Sequence, residues 1–534
     1  MRSTLIFFFF IFLLSSQVQA QNEASEELTN HLRISIESLA ANTYKINDAT
    51  EIQCRSGIPE FYNLNGLNKI WNKEATSQLI EAVKSSFDEG LNPQDYHIDE
   101  LIKYSALQEP SLIQQVEKEI LFTDAYLLLA SHLMSGKVDP VKIDAAWKVI
   151  KREGNPVNIL IEASQKNNIE ESLRSLKPNF KAYDRLKAQL KVYRELKGEN
   201  NWELLPMGET LKKGNSDVRI TEIRNRLFLF KDLKILRTDS TDFFDSNLES
   251  AVISFQKRHG LTADGAIGKE TLAMMNLSPE DRINQIIINL DRCRWLPKEL
   301  GSKYIMVNLP AYELELVVDS KVEFEMKVAV GKPFRQSPVF SSKMTYMVFN
   351  PYWTVPPTIL YQDMIPAQAK NANHLKNLNI KVLNSQGAEL DPAAIDWKSF
   401  KGSGFPYTLR QEPGKNNALG QVKFIYPNPY NVYMHDTNHK ELFRQPDRAL
   451  SSGCIRLSEP LVLAKYLLET DKNWKEEKMM EILKTSQNYT VILSQPYQVH
   501  LQYWTAFVDE QGTMNFRKDI YNRDTKVLKA LLEN

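Results

Sequence analysis

The sequence predicts a multi-domain α+β protein: a helical scaffold domain, a small three-helix bundle, and a β-rich domain carrying an inserted lid. Three observations lead there. The chain has 534 residues, too many for one hydrophobic core when domains run to roughly 150 residues. Its composition is globular, 43% hydrophobic, 10% aromatic and 25% charged, which excludes a largely disordered, collagen-like or coiled-coil chain. The spacing of apolar residues then changes from helical to period two near residue 302. The 66 Lys and Arg balance 66 Asp and Glu, so the basic footprint of a nucleic-acid binder is missing and no such partner is expected.

At the start, Arg2 precedes the apolar run Leu5–Leu14 and a small-residue exit, Val18-Gln19-Ala20. This is the layout of a signal peptide over residues 1–20. An uncleaved anchor is the alternative, but a bilayer span needs about 20 apolar residues. No other run resembles a membrane span, so the mature chain is expected outside the cytoplasm, without a transmembrane segment.

Residues 21–205 read as the helical scaffold domain, with apolar positions at helical spacing around Lys118–Leu129 and breakers at Gly136 and Pro140. Residues 208–276 follow a different grammar. Ser216 or Asp217 can cap a helix with the face Ile220, Ile223, Leu227, Phe230. A second helix through Leu248, Val252 and Phe255 stops at His259-Gly260, and a third runs from about Gly268 to Met275. The run Ala251-Val252, Phe255-Gln256, His259-Gly260-Leu261, Asp264-Gly265, Ile267-Gly268, Thr271-Leu272 resembles the small peptidoglycan-binding domain of many cell-wall enzymes. A linking helix fills 277–301, where Ser278 caps, Pro279 takes the first turn and Glu280-Asp281 suit the positive dipole end.

The β-rich domain is placed at 302–495. Val322, Phe324, Met326, Val328 and Val330 alternate with mostly polar residues. An irregular excursion at about 365–420, rich in Asn, Lys, Gly and Pro, is read as a lid, since loops of that length within a domain usually serve function. Residues 496–534 are expected to add strands and a helix packed on this domain.

The chemistry concentrates in Val432-Tyr433-Met434-His435-Asp436-Thr437 and Ser451-Ser452-Gly453-Cys454-Ile455-Arg456-Leu457. A cysteine nucleophile needs a base, and histidine is the usual one. Gly453 permits close backbone approach, and amides around Gly453 and Cys454 can form an oxyanion hole. The residue after the histidine can fix its tautomer. Two other readings stay open at this point: Cys454 as a buried small hydrophobe, and zinc held by His435, His439 and Cys454. Whether Cys54 and Cys293 pair is not decided by spacing.

The His435-Asp436-Thr437 and Ser451–Leu457 segments resemble the signature of L,D-transpeptidases, the cysteine enzymes that crosslink peptidoglycan. Val330-Gly331-Lys332-Pro333, Asn350–Pro357 and Pro413–Gly420 lie at matching places, and the domain order is similar to the long periplasmic members of Gram-negative bacteria. Ser452 stands where many shorter members carry a second histidine. The resemblance implies Cys454 as nucleophile, His435 as general base and then acid, Asp436 orienting His435 through its backbone carbonyl, and Gly453 in the oxyanion hole. It implies substrate contacts for Arg456, Ser452, Tyr433, Tyr352 and Trp353; an ion-pair role for Arg456 and plain packing for the two aromatics are the alternatives. Stem peptides would be donor and acceptor, carbapenems inhibitors, and no metal or cofactor is called for. The implied function is peptidoglycan L,D-transpeptidase. An L,D-carboxypeptidase, a muropeptide cysteine peptidase and a non-catalytic wall-binding protein are the other readings.

Overall fold

The computed structural model describes residues 26–533 apart from 40, 42–44, 47–49, 144–146, 148–151, 153, 200–201, 237–241, 470–473 and 475. The expected signal peptide lies outside these residues. The helical part is organised by Leu112–Ser135. Ser111 starts this helix with a reciprocal capping box to Gln114, and Gly136, at φ +85°, ends it. Its residues are buried on nearly every side, so it must lie inside a bundle. Gly57–Leu64, Lys73–Ser85, Ile98–Ser105, Pro156–Lys166 and Ile169–Arg174 pack around it. Two acidic side chains caught in this core have partners: Glu119 accepts from the Tyr62 hydroxyl at 2.8 Å, and Asp124 accepts from the Cys54 N–H at 2.6 Å and pairs with His97 Nε2 at 2.9 Å.

The three-helix bundle consists of Arg219–Leu229, Ser246–Arg258 and Lys269–Met275 around a core of its own that includes Ile223, Leu227, Val252, Phe255 and Leu272. Its turn is explained by Gln256, whose Nε2 donates to Asp264 Oδ1 and the Ala266 carbonyl, both at 2.8 Å, while its Oε1 accepts from Gly265 N at 2.9 Å. Gly265 sits at φ +72°, which a side chain would oppose. Phe230, expected on the bundle's inner face, instead stacks on Tyr193 of the scaffold helix Lys181–Glu199.

Helix Pro279–Arg294 carries the Ser278 cap that its sequence announces. It is more than a linker. Asp291 accepts from the Lys137 N–H at 2.8 Å and pairs with Arg294 at 3.2 Å, and Arg292 pairs with Asp524 at 2.7 Å. The helix thus ties the scaffold to the C-terminal segment.

The strands are β1 (Lys303–Asn308), β2 (Glu313–Val318), β3 (Lys321–Gly331), β4 (Phe340–Phe349), β5 (Trp353–Thr354), β6 (Ile380–Leu383), β7 (Glu389–Leu390), β8 (Thr408–Gln411), β9 (Val422–Ile425), β10 (Met434–His435), β11 (Ala449–Ser451), β12 (Ile455–Leu457), β13 (Tyr489–Gln502), β14 (Ala506–Val508) and β15 (Met514–Phe516). The main sheet has the order β11-β3-β12-β10-β9-β4-β13-β1-β2, and β2 also pairs β3. The strand circuit therefore returns to its start, enclosing a core that includes Val307, Leu316, Val328, Met347, Phe424, Met434 and Leu501.

Two boundaries differ from the sequence reading. β13 runs through residue 495 and pairs with both β1 and β4, so the boundary at 495/496 would cut a central strand. The excursion is not irregular throughout: β5, β8, β6 and β7 form a second sheet over the apolar cluster of Val355, Leu375, Ile380, Val382, Trp397 and Leu409. Ordered structure in it begins at Trp353, ahead of the expected 365.

Burial holds His500 down to about 4 and keeps His259 well below the ordinary 6.5. The unfolded chain therefore takes up protons between about 6.5 and 4 that the folded one refuses, and stability falls as pH drops through that window. Urea midpoints measured from pH 7 to pH 4 should decline, and His259→Gln with His500→Gln should flatten the slope. An unchanged slope would show these imidazoles to be protonated when folded.

Candidate active site

Period two decides what faces the site. In β9, β10 and β12, Val422, Phe424, Met434, Ile455 and Leu457 are fully buried in the barrel core. Their neighbours must point the other way. β10 and β12 are parallel with Met434 opposite Ile455 and His435 opposite Arg456, and β9 sets Lys423 opposite His435. One step earlier, the Ile455 N–H donates to the Tyr433 carbonyl at 3.1 Å. Lys423, Tyr433, His435, Cys454 and Arg456 thus share one face. The Tyr433 phenol hydrogen-bonds to Cys454, the Tyr433 and His435 rings are 5.6 Å apart, and Lys423 Nζ lies 5.7 Å from the Tyr433 ring.

His435 Nδ1 lies against the backbone carbonyl of Asp436, so its N–H donates there and Nε2 is left as an acceptor. The Asp436 carboxylate is occupied elsewhere. It accepts from Gln421 N at 2.8 Å, Thr437 N at 2.7 Å and Lys440 Nζ at 2.5 Å. It fills the space that a Cβ on Gly420 would need. Burial, then the Arg456 charge, holds His435 down to about 3, although its contact with Asp436 pulls the other way. Burial pushes the Cys454 thiol up, against Tyr433, Arg456 and Lys423, which pull it down. Thiol and imidazole are therefore both neutral at pH 7.

Gly453, at φ +117°, takes a backbone that favours glycine. Its N–H donates to Ser451 Oγ at 3.0 Å, and that hydroxyl donates to the Cys454 carbonyl at 2.6 Å. The expectation for Gly453 is corrected accordingly: its amide proton is taken, and the Cys454 N–H is the member of the pair without a partner among the described residues. Ser452 is exposed and its Oγ accepts from Arg335 at 3.1 Å. Arg335 also grips Asp363 through two contacts, 2.5 and 2.9 Å, and Gln362 at 2.8 Å, both in the π-helical turn Leu360–Met364 of the insertion.

Arg456 makes no ion pair among the described residues and its buried Nε has no partner, so the ion-pair reading fails. Tyr352 lies under the Arg410 guanidinium at 4.8 Å, and Trp353 packs on the insertion's own core. Both belong to the insertion, without a described contact to the Cys454 face. His439 is exposed and turns Nδ1 to Glu441 at 3.0 Å; no three His, Cys, Asp or Glu side chains among the described residues converge as metal ligands. Cys54 and Cys293 are free thiols in separate cores.

Sequence reading passed over Lys423 and Arg335. Lys423 could have been found, since it lies between the core residues Val422 and Phe424 in a strand next to the histidine. Arg335 could not, because its partners are distant in sequence.

Cys454 alkylation by iodoacetamide should still be rising above pH 9, without a plateau at neutral pH, because burial keeps the thiol protonated. Arg456→Gln should slow alkylation at pH 8 by removing a charge that favours the thiolate. A plateau below pH 7 would instead indicate a standing thiolate–imidazolium pair.

Residues 302–477 match the family described as "L,D-transpeptidase catalytic domain", 219–275 the "Putative peptidoglycan binding domain" and 56–190 the "Scaffold domain". A Haemophilus influenzae protein described as "Putative L,D-transpeptidase" is 34% identical over 251 residues, 47% of this chain and 50% of that one. The match thus spans half the length of that relative. Solved L,D-transpeptidase structures are similar more distantly. One from Stackebrandtia nassauensis is 13% identical, with 56% of this chain and 96% of that one covered and a TM-score of 0.21. One from Mycobacterium smegmatis is 13% identical, with 38% and 58% covered and a TM-score of 0.19. TM-scores this low establish no common fold. The sequence matches carry the likeness: residues 302–477 are similar to L,D-transpeptidase catalytic domains, in one chain with segments similar to a scaffold domain and a peptidoglycan-binding domain.

Proposed function

We propose that this protein is a peptidoglycan L,D-transpeptidase with Cys454 as nucleophile. The observation that carries the reading is the β10–β12 ladder, which sets Cys454 and His435 on one outward face with His435 Nε2 unprotonated. Cys454 Sγ attacks the carbonyl of the third residue of a tetrapeptide stem while His435 Nε2 takes the thiol proton. The Cys454 N–H stabilises the oxyanion. His435 then returns the proton to the leaving nitrogen, D-alanine departs and a thioester remains. A side-chain amine of a second stem attacks the thioester and loses its proton to His435. The 3→3 crosslink forms, and the proton restores the thiol. Arg456 and Lys423, two cations without an ion-pair partner among the described residues, suit the stem's carboxylates.

Asp436 acts on His435 through its carbonyl, its carboxylate bracing the backbone. Domain order and the N-terminal sequence support export to the periplasm and work on the wall in biogenesis and cell shape. The peptidoglycan-binding-type bundle would hold the enzyme near its polymer, raising local concentration. Water in place of the amine would give L,D-carboxypeptidase activity.

Cys454→Ala should abolish covalent labelling by a carbapenem, read by intact mass, and crosslinking, read by mass spectrometry of muropeptides. His435→Asn should slow acylation by about 10²–10⁴-fold, and His439→Asn should leave it near wild type. Labelling that persists in Cys454→Ala, or that moves to Cys54 or Cys293, would refute the nucleophile. Equal losses at His435 and His439 would refute the base.

A further inference from the structure

The loop that holds Cys454 is anchored from behind by Ser337, which is held in turn by Tyr521, beyond the matched residues 302–477. Ser337 is fully buried. Its Oγ accepts from Gly331 N at 2.9 Å, which turns its own proton toward the Gly453 carbonyl at 2.7 Å. Ser337 is itself held by Tyr521, whose hydroxyl accepts from Ser337 N at 3.2 Å and donates to the Gly331 carbonyl at 2.6 Å. Tyr521 is fixed in turn: its N–H donates to the Tyr503 hydroxyl at 2.7 Å, and the Arg523 guanidinium lies 5.0 Å over its ring.

The Gly453 carbonyl and the Cys454 N–H belong to one peptide unit, and in a trans peptide they point in opposite directions. A hydroxyl that pulls the carbonyl into the core therefore aims the N–H outward. Glycine at 453 leaves this plane free to rotate unless something holds it. Rotated, the unit would present a carbonyl oxygen where a developing oxyanion needs a donor, turning attraction into repulsion.

We infer that Ser337, braced by Tyr521, is the positioning residue that aims the Cys454 N–H at the reacting carbonyl oxygen of the substrate. The inference rests on the acyl-transfer reading above. Removing a whole oxyanion donor costs about 10²–10³ in rate, so misdirecting one should cost about 10–100-fold.

The test uses the full-length protein with Ser337→Ala, Ser337→Thr and Tyr521→Phe. Acylation by a carbapenem is followed over a concentration series, alongside Cys454 alkylation by iodoacetamide, which attacks a saturated carbon and forms no oxyanion. Ser337→Ala should lower the maximal acylation rate by about 10–100-fold with half-saturation and alkylation unchanged. Ser337→Thr, which keeps the hydroxyl, should restore the rate, and Tyr521→Phe should show a smaller loss of the same kind. Wild-type acylation in Ser337→Ala would overturn the inference, as would parallel loss of acylation and alkylation. Should Ser337→Ala not fold, Tyr521→Phe decides by the same comparison. A wild-type protein that alkylates but never acylates would overturn the acyl-transfer reading, and this inference with it.

Discussion

The parallel ladder between β10 and β12 is the constraint on which the site depends. It sets a thiol and an imidazole from distant segments on one face and leaves the opposite face to the barrel core. A slip of one residue in either strand would exchange those faces, turning His435 into the barrel core or Met434 onto the site face. Strands of two and three residues cannot hold a register alone. It is held by their outer neighbours, β9 against β10 and β3 against β12, and by the closed circuit to which all four belong.

The site's electrostatics follow from the same placement. Burial disfavours charge on both reacting groups, while Lys423 and Arg456 beside them favour a thiolate once it forms. In the proposed reaction the resting pair is neutral, and the cations favour the charged species that attack would create. This suits an acyl transfer in which the base acts at the moment of bond formation. It also protects a thiol that would otherwise stand as an oxidisable thiolate.

What could be read from the sequence was whatever short-range physics writes there. Ser278-Pro279 states a helix start, Gln256 with Asp264-Gly265 states a turn, and Lys321–Gly331 shows the alternation of a strand with one face inward. His435 and Cys454 could be singled out as candidates because their local settings are distinctive. Pairings between distant segments could not be read. The Tyr489–Gln502 strand gives no sign that its partners are β1 and β4, so the boundary drawn through it was misplaced. The excursion's polarity concealed an apolar cluster whose members are far apart in sequence. The capture of the Gly453 amide by the Ser451 hydroxyl, two residues away, is a short-range contact that sequence reading passed over.

Tyr521 follows Ser337, Gly453 and Cys454 in the chain and lies outside residues 302–477, which match the catalytic family. The peptide that carries the cysteine is nonetheless braced from that later segment. A chain cut short of Tyr521 would keep Cys454 and lose that brace, along with the Asp524–Arg292 pair that fastens the same segment to helix Pro279–Arg294. The end of the matched catalytic stretch is therefore not the end of the structure that supports the Gly453–Cys454 peptide.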